Sequence, residues 1–304
     1  MNKLLVVGTV AFDAIETPFG KTDKILGGAA TYIALSASHF DIDTAIVSVV
    51  GGDFPEEHLT LLKNKNVDIS GLEIVKEGKT FFWKGKYHND LNMRDTLDTQ
   101  LNVLEKFQPV VPKAYTDSDI VMLGNLHPAV QLSVLEQMTQ KPKMVVLDTM
   151  NFWMDIALEP LKAVIARVDV LTINDEEARQ LSGERSLMKA ARAVLKMGPR
   201  YLVIKKGEHG SILSGPKGLF VAPAYPLKKV VDPTGAGDTF AGGLMAHVAR
   251  TGNGDLATVQ QGMAWGTVMA SFTIEAFGLE RLRRLDAKQI NERMQRFQHA
   301  AKVG

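Results

Sequence analysis

Short apolar runs alternate along this chain with stretches whose apolar positions recur at helical spacing. The runs Lys3–Val7, Thr44–Val50, Ile120–Leu123, Met144–Leu147, Val168–Ile173 and Tyr201–Lys205 are rich in Val, Ile and Leu and bounded by Gly, Asp or Asn. Runs this continuous predict strands buried on both faces, as in a mostly parallel sheet. Helices are predicted over Ala30–His39, Glu56–Lys65, Ala129–Thr139, Ile156–Ala166 and Leu187–Lys196, with Pro55 and Pro128 in first helical turns. The last third reads as helices over Thr239–Arg250, Asp255–Ile274 and Asp286–His299, the last opened by an Asp286/Gln289 capping box. The alternation predicts an α/β fold, a three-layer α/β/α sandwich around a mostly parallel central sheet.

Two regions break the rhythm. Residues 11–25 are irregular, and residues 72–98 open with two short strands, Leu72–Val75 and an aromatic-rich Thr80–Tyr87. Neither fits a strand-helix-strand unit, so both are assigned to a small β lid over a site. With no repeat and no low-complexity linker, residues 1–304 are read as one domain carrying that lid.

Composition narrows the function classes. The chain has 35 basic and 34 acidic residues, so nucleic acid and membrane are not expected partners. It has no cysteine, which removes disulfides, thiolate metal sites and cysteine nucleophiles. The first residues read as a buried strand rather than a signal peptide, and no apolar run approaches about 18 residues. A cytoplasmic location is expected. The seven histidines show no metal spacing.

The most informative segment is Val230-Val231-Asp232-Pro233-Thr234-Gly235-Ala236-Gly237-Asp238-Thr239-Phe240-Ala241-Gly242-Gly243-Leu244. A β-branched pair leads into a turn of very small residues, and a helical pattern follows. At Gly235, Ala236 and Gly237 the backbone N–H groups can approach an anion at a helix N-terminus. Such a cradle suits a phosphoryl group in transit. Asp238, in the first turn beside it, is placed to take the proton of an attacking hydroxyl. An isolated Gly-Ala-Gly-Asp would read as an ordinary helix cap; the whole segment is more specific.

This segment resembles the second signature of the ribokinase-like (PfkB) carbohydrate kinases, without a departure. The resemblance implies ATP with Mg2+, a β lid over the acceptor, and Asp238 as catalytic base. It extends through most of the chain. Asp13, five residues after Gly8, resembles the aspartate that holds substrate hydroxyls, and Gly27-Gly28 the pair that brings a helix N-terminus to the sugar. Asn174 and Glu177 resemble the Asn-x-x-Glu motif that organises phosphates and Mg2+ through water. Lys205, Gly207 and Gly210 lie where the family has its nucleotide-binding turn. Asp232, with the backbone near Thr273, Ala276 and Gly278, resembles the family's monovalent-cation loop and implies K+.

The residues also have plainer readings: Asp13 caps a turn, and Asp175-Glu176-Glu177 is an acidic first helical turn. Asp148-Thr149-Met150-Asn151 closes a strand and points toward the same crevice, which makes Asn151 a further substrate candidate.

Two positions depart from the family pattern. Tyr32 stands where ribose-specific members carry Asn, and it is expected to line the acceptor pocket. After Asn151 come Phe152-Trp153, with no arginine for a second phosphate clamp. Phe81, Phe82, Trp83 and Tyr87 are suited to stacking on a sugar or purine, or to gluing the lid to the body or to a second subunit as a homodimer. The expected function is ATP-dependent phosphoryl transfer to an alcohol of a sugar or sugar derivative. A nucleoside kinase on the same fold and a non-catalytic sugar or nucleotide sensor are the alternatives. A dinucleotide-binding dehydrogenase fails on glycine spacing, and no P-loop motif occurs.

Overall fold

Strand β1 (Lys3–Val7) shows why the apolar runs form the middle layer of the molecule. Leu4 and Val6 enter one apolar core, Leu5 and Val7 another, and all four have no exposed surface. Successive strand residues point to opposite faces, so a run with no polar break needs cover on both sides. In the computed structural model, which describes residues 2–301, helices supply that cover.

After β1 come β2 (Ala11–Thr17), β3 (Gly20–Lys21), β4 (Ile25–Gly27), α1 (Ala29–Ala37), β5 (Asp43–Gly51), α2 (Glu56–Asn64) and β6 (Val67–Val75). The chain continues through β7 (Phe82–Tyr87), β8 (Arg94–Gln100), β9 (Ile120–Leu123), α3 (Pro128–Glu136), β10 (Met144–Asp148), α4 (Asn151–Ile156) and α5 (Leu158–Ile165). It then forms β11 (Val170–Asn174), α6 (Asp175–Ser182), α7 (Leu187–Leu195), β12 (Tyr201–Lys205), β13 (Ser211–Gly215) and β14 (Gly218–Ala222). Three helices end it: α8 (Ala236–Thr251), α9 (Leu256–Thr273) and α10 (Ala287–Ala301).

The main sheet runs β14-β13-β12-β11-β10-β9-β1-β5-β6, parallel from β12 to β6 and antiparallel in the β13–β14 hairpin. Helices α1, α8, α9 and α10 bury their apolar faces with Leu4 and Val6; α3, α5 and α7 pack on the side of Leu5 and Val7. The strand order reverses between β1 and β9. The carboxyl ends of strands flanking such a reversal are where sheets of this kind usually leave a crevice for ligands.

A second sheet, β3-β2-β7-β8 with β4 on β2, forms the lid. The expected lid segment 72–98 is thereby corrected. Leu72–Val75 is the end of β6, paired in parallel with β5 from Ser48↔Leu72 to Gly51↔Val75, and belongs to the main sheet. As an edge strand it leaves Ile74 half-exposed, which made it look like an appendage. The lid instead takes β7 and β8 from this region.

Helix α8 begins at Ala236, three residues before the expected start, so Gly237 and Asp238 lie inside its first turn. The stretch expected as one helix over Ile156–Ala166 starts only at Leu158, after a break at Ala157 (φ −144°, ψ 38°) that separates it from α4. Pro128 occupies the first turn of α3, whereas Pro55, with ψ 138°, lies just outside α2. Asp286 and Gln289 do exchange backbone-to-side-chain bonds, at 3.3 and 2.8 Å.

Candidate active site

The turn before α8 depends on its small residues. Gly235 is left-handed (φ 73°), and a Cβ there would lie 2.4 Å from the Tyr32 ring. No side chain caps the helix, so its leading amides face the crevice. A Cβ on Gly237 would stand 3.0 Å from Lys205 Nζ, which puts an ammonium beside the same amides. Gly242, one helix face further on, brings α8 against Ile33 of α1; a Cβ there would fall 2.4 Å from the Ile33 carbonyl oxygen.

Strands β10, β11 and β12 are neighbours, so their carboxyl ends deliver a charged group to this turn. Lys205 Nζ bonds Asp148 Oδ2 at 2.5 Å, and Asp148 also accepts from Thr172 Oγ1 at 2.9 Å. Asn174 and Glu177 form a capping box at α6: Glu177 N donates to Asn174 Oδ1 and Asn174 N to Glu177 Oε2, each at 2.7 Å. The box fixes Glu177, 4% exposed, beside Lys205 and Asp148.

The carboxylates here resist ionisation. Burial, then the charge of Asp148, raises Asp238 to about 6, against the pull of Lys205 and Arg94. Burial raises Glu177 to about 7, partly opposed by Lys205. Burial acts to lower the Lys205 pKa, but Asp148, Glu177 and Asp238 outweigh it and hold the ammonium charged.

Asp13 lies on the other side of Asp238, on lid strand β2. It is 5% exposed; burial raises it to about 7, and Asp232 and Asp238 add to the shift while the Gly28 N–H opposes it. Gly27 is required beside it, because a Cβ would fall 1.9 Å from Asp13 Oδ2. Gly28 (φ 93°) caps α1, whose Ala29 N–H bonds Thr9 Oγ1 at 2.9 Å.

The structure thus brings Asp13, Gly27, Gly28, Asp148, Glu177, Lys205 and the 235–238 turn to one crevice. It treats others differently. Tyr32 is 1% exposed and packs beneath Gly235, so the expectation that it lines the acceptor pocket is corrected: the ring is a wedge between α1 and the turn. Asn151 is turned toward α6, where its side-chain amide donates to Gln180. Asp232 is fully buried, its two oxygens accepting from Thr234 N and Gly278 N at 2.9 Å each. Gly207 (φ 53°) and Gly210 (φ 78°) shape the turn after β12, and a Cβ on Gly207 would strike Asn92 Oδ1 of the lid at 2.1 Å. The lid therefore reaches from Gly27, beside Asp13, to the turn after β12.

Sequence reasoning singled out Lys205 and the Asp148 segment separately but not their pairing, which joins strands far apart in the chain, and it missed Arg94, which comes from the lid. Tyr87 sits opposite Arg94, and its hydroxyl bonds Thr234 Oγ1 at 3.2 Å, next to the cradle. Among the described residues no group of three or more His, Asp or Glu gathers as a metal cage.

A parallel sheet, a glycine turn at a helix N-terminus, a buried carboxylate and a small second sheet are what phosphoryl transfer to an alcohol would need. Comparison with known proteins agrees. Residues 1–281 match the model of the pfkB family carbohydrate kinases. The chain is 32% identical over 257 residues to a cytidine kinase of Thermococcus kodakarensis, covering 82% of this chain and 90% of that protein. It is 26% identical over 294 residues to a nucleoside kinase of Methanothermobacter thermautotrophicus, covering 91% of each. A solved nucleoside kinase of Burkholderia thailandensis, in complex with ADP-inosine, shares the fold with a TM-score of 0.80 at 19% identity, over 99% of this chain and 98% of that one. The chain belongs to the pfkB carbohydrate kinase family. It is an ATP-dependent kinase whose acceptor is an alcohol of a sugar or nucleoside. No helix among the described residues is long and apolar enough to cross a membrane.

Proposed function

We propose that the acceptor is a nucleoside, phosphorylated on its 5′-hydroxyl. The observation that carries this reading is that Asp13 and Trp83 stand directly opposite each other on β2 and β7. Opposed residues share a face of a sheet, so the carboxylate and the indole look the same way. Gly85 lets the indole lie flat along its strand, since a Cβ there would fall 2.1 Å from Trp83 Cη2. A carboxylate suited to a vicinal diol beside a flat aromatic suits a ribose carrying a base. With the 2′,3′-diol on Asp13, the hydroxyl left for Asp238 is the 5′. The names of the cytidine and nucleoside kinases among the relatives support the same acceptor class.

In this reading Asp238 takes the hydroxyl proton as the acceptor oxygen bonds to the γ-phosphorus, and the bond from that phosphorus to the oxygen bridging to ADP breaks. The amides of the 235–238 turn and the Lys205 ammonium offset the charge on the transferring group. Glu177, held by its capping box, would order Mg2+ through its waters, and the metal would neutralise phosphate charge. Gly207 and Gly210 let the turn after β12 approach the nucleotide. Asp232 retains lone pairs for a monovalent cation such as K+; replacing KCl by choline chloride tests that role.

The protein works in the cytoplasm in this account. β8, exposed along nearly its whole length at the lid edge, is the surface for a homodimer, which light scattering after gel filtration checks. A panel of nucleosides, pentoses and hexoses with ATP and Mg2+ tests the acceptor. Cytidine or another nucleoside should give the highest kcat/KM, and Trp83→Ala should raise its KM about tenfold or more, the worth of one stacked base. A free sugar turned over best, at a KM indifferent to Trp83→Ala, contradicts the reading.

A further inference from the structure

Besides its contacts through Tyr87 and Asn92, the lid meets the body at the loop 275–278, which follows α9. Ile25 stands directly opposite Asp13, where β4 pairs with β2. A Cβ on Gly278 would fall 2.6 Å from Ile25 Cδ1, and Gly278 is left-handed (φ 53°), so glycine is required for the loop to close on the lid there. The residue before it, the half-buried Phe277, packs its ring against the β2–β3 hairpin: a Cβ on Gly20 would lie 3.3 Å from Phe277 Cε2. At the tip of the same hairpin the Phe19 ring centre lies 5.4 Å from Lys229 Nζ, on the segment that leads into the glycine turn.

Hydrogen bonds tie that loop to the glycine turn. Gly278 N donates to Asp232 Oδ2 at 2.9 Å, and Asp232 Oδ1 accepts at 2.9 Å from Thr234 N, next to Gly235. Just before the loop, the Ile274 carbonyl accepts from Val231 N at 2.8 Å. The body side is braced by charge. One Glu275 oxygen accepts from Arg293 Nη2 at 2.7 Å and the other from Arg281 Nε at 3.2 Å. Arg293 is itself stacked on Phe272, 3.5 Å from the ring centre. A loop braced in this way holds Asp232 and the turn in one place, and the hairpin comes to rest where Phe277 and Gly278 receive it. Asp13 is thereby joined to the turn through Ile25, Gly278, Asp232 and Thr234.

We infer that Phe277 is a positioning residue, which seats the β2–β3 hairpin on the 275–278 loop and so sets an acceptor held by Asp13 in line with the glycine turn. Phe277 acts through the lid, by fixing the spacing between the two halves of the site. In-line transfer tolerates little error in that spacing: a displacement of about 1 Å is worth about 10²-fold in rate. This role rests on the acceptor lying against Asp13 and on transfer at the 235–238 turn, whichever alcohol is accepted.

The test measures kcat, both KM values and the unfolding temperature of wild type, Phe277→Ala, Phe277→Met, Ile25→Ala and the double variant Ile25→Ala/Phe277→Ala. The acceptor is whichever alcohol the wild-type enzyme phosphorylates. Phe277→Ala should lower kcat about tenfold or more while both KM values stay within about threefold and the unfolding temperature stays close to wild type. Phe277→Met refills the contact with a flexible apolar side chain and should recover most of the loss. Ile25 and Phe277 seat one hairpin on one loop, so the double variant should lose little beyond the worse single variant. Any of three results overturns the role: a Phe277→Ala kcat close to wild type, a loss that follows a lowered unfolding temperature and is not recovered by Phe277→Met, or losses that multiply in the double variant. Titration of Asp13→Ala with the acceptor separates this role from the site it rests on. Undiminished affinity there would overturn the acceptor placement and the role together. Weakened affinity there with a normal Phe277→Ala kcat would overturn the role alone.

Discussion

Gly235 and Tyr32 occupy each other's space: a single added carbon on the glycine would lie 2.4 Å from the tyrosine ring. The turn before α8 is therefore set by an aromatic wedge from α1 as well as by its own glycines. Gly235→Ala adds this clash to the cost of a left-handed non-glycine residue, roughly 1–2 kcal/mol by itself. The variant should unfold at lower denaturant and lose turnover with it. An unchanged unfolding midpoint would contradict the wedge.

The Tyr32 hydroxyl has no hydrogen-bond partner although it is buried. Burial and the charges of Asp13, Asp232 and Asp238 hold its pKa well above the ordinary tyrosine value. Tyr32→Phe removes an unsatisfied donor without opening a cavity, so stability should stay level or rise by about 1 kcal/mol. Tyr32→Asn empties the space under Gly235 and should destabilise without turning preference toward ribose. A clean change of acceptor preference would return Tyr32 to the pocket wall.

The two halves of the crevice should separate by substrate. Lys205→Ala removes the ammonium beside the cradle and is expected to raise the ATP KM about tenfold or more, leaving acceptor binding within about twofold. Asp13→Ala should do the reverse, with a loss of ~1.5–3 kcal/mol in acceptor binding. Isothermal titration with ADP and with the acceptor reads both. Equal losses on both sides in either variant would contradict the division.

The three raised carboxylates make a pH prediction. Asp13, Glu177 and Asp238 bind protons more tightly folded than unfolded, so between their ordinary values near 4 and their folded values of about 6 to 7 the native state holds more protons. Stability of the ligand-free enzyme must therefore fall as pH rises through that window. Asp13→Asn should flatten the fall, as read from denaturant unfolding at pH 4.5 and 7.5. A slope that rises with pH, or one indifferent to Asp13, would contradict the burial that raises these groups.

Much of this architecture was readable from the chain. Lys3–Val7, Ile120–Leu123 and Tyr201–Lys205 match strands residue for residue, because full burial on both faces leaves an unbroken apolar run. β6 was misassigned because an edge strand is exposed and its pattern weak. Edge strand β14 of the β13–β14 hairpin is hidden in the sequence for the same reason: Leu219 and Val221 are 48% and 64% exposed. Asp238 was singled out by the glycines just before it and Asp13 by its spacing from Gly8. Arg94 carries no local signal, and neither does the pairing of Asp148 with Lys205: lid placement brings in the one and sheet order makes the other. Tyr32 was located correctly in sequence but assigned to the pocket surface, because periodicity does not say which buried neighbour a ring will meet.

The account stands most directly on Asp238. Its carboxylate rises to about 6, so wild-type kcat/KM should climb with pH through that value and then level as the base becomes ionised. The deciding measurement is the kcat of Asp238→Asn at pH 7.5 with saturating ATP, Mg2+ and acceptor, alongside its ADP affinity and unfolding midpoint. The account predicts a kcat about 10²–10⁴-fold lower with nucleotide affinity and stability close to wild type. Turnover within a few-fold of wild type would contradict it.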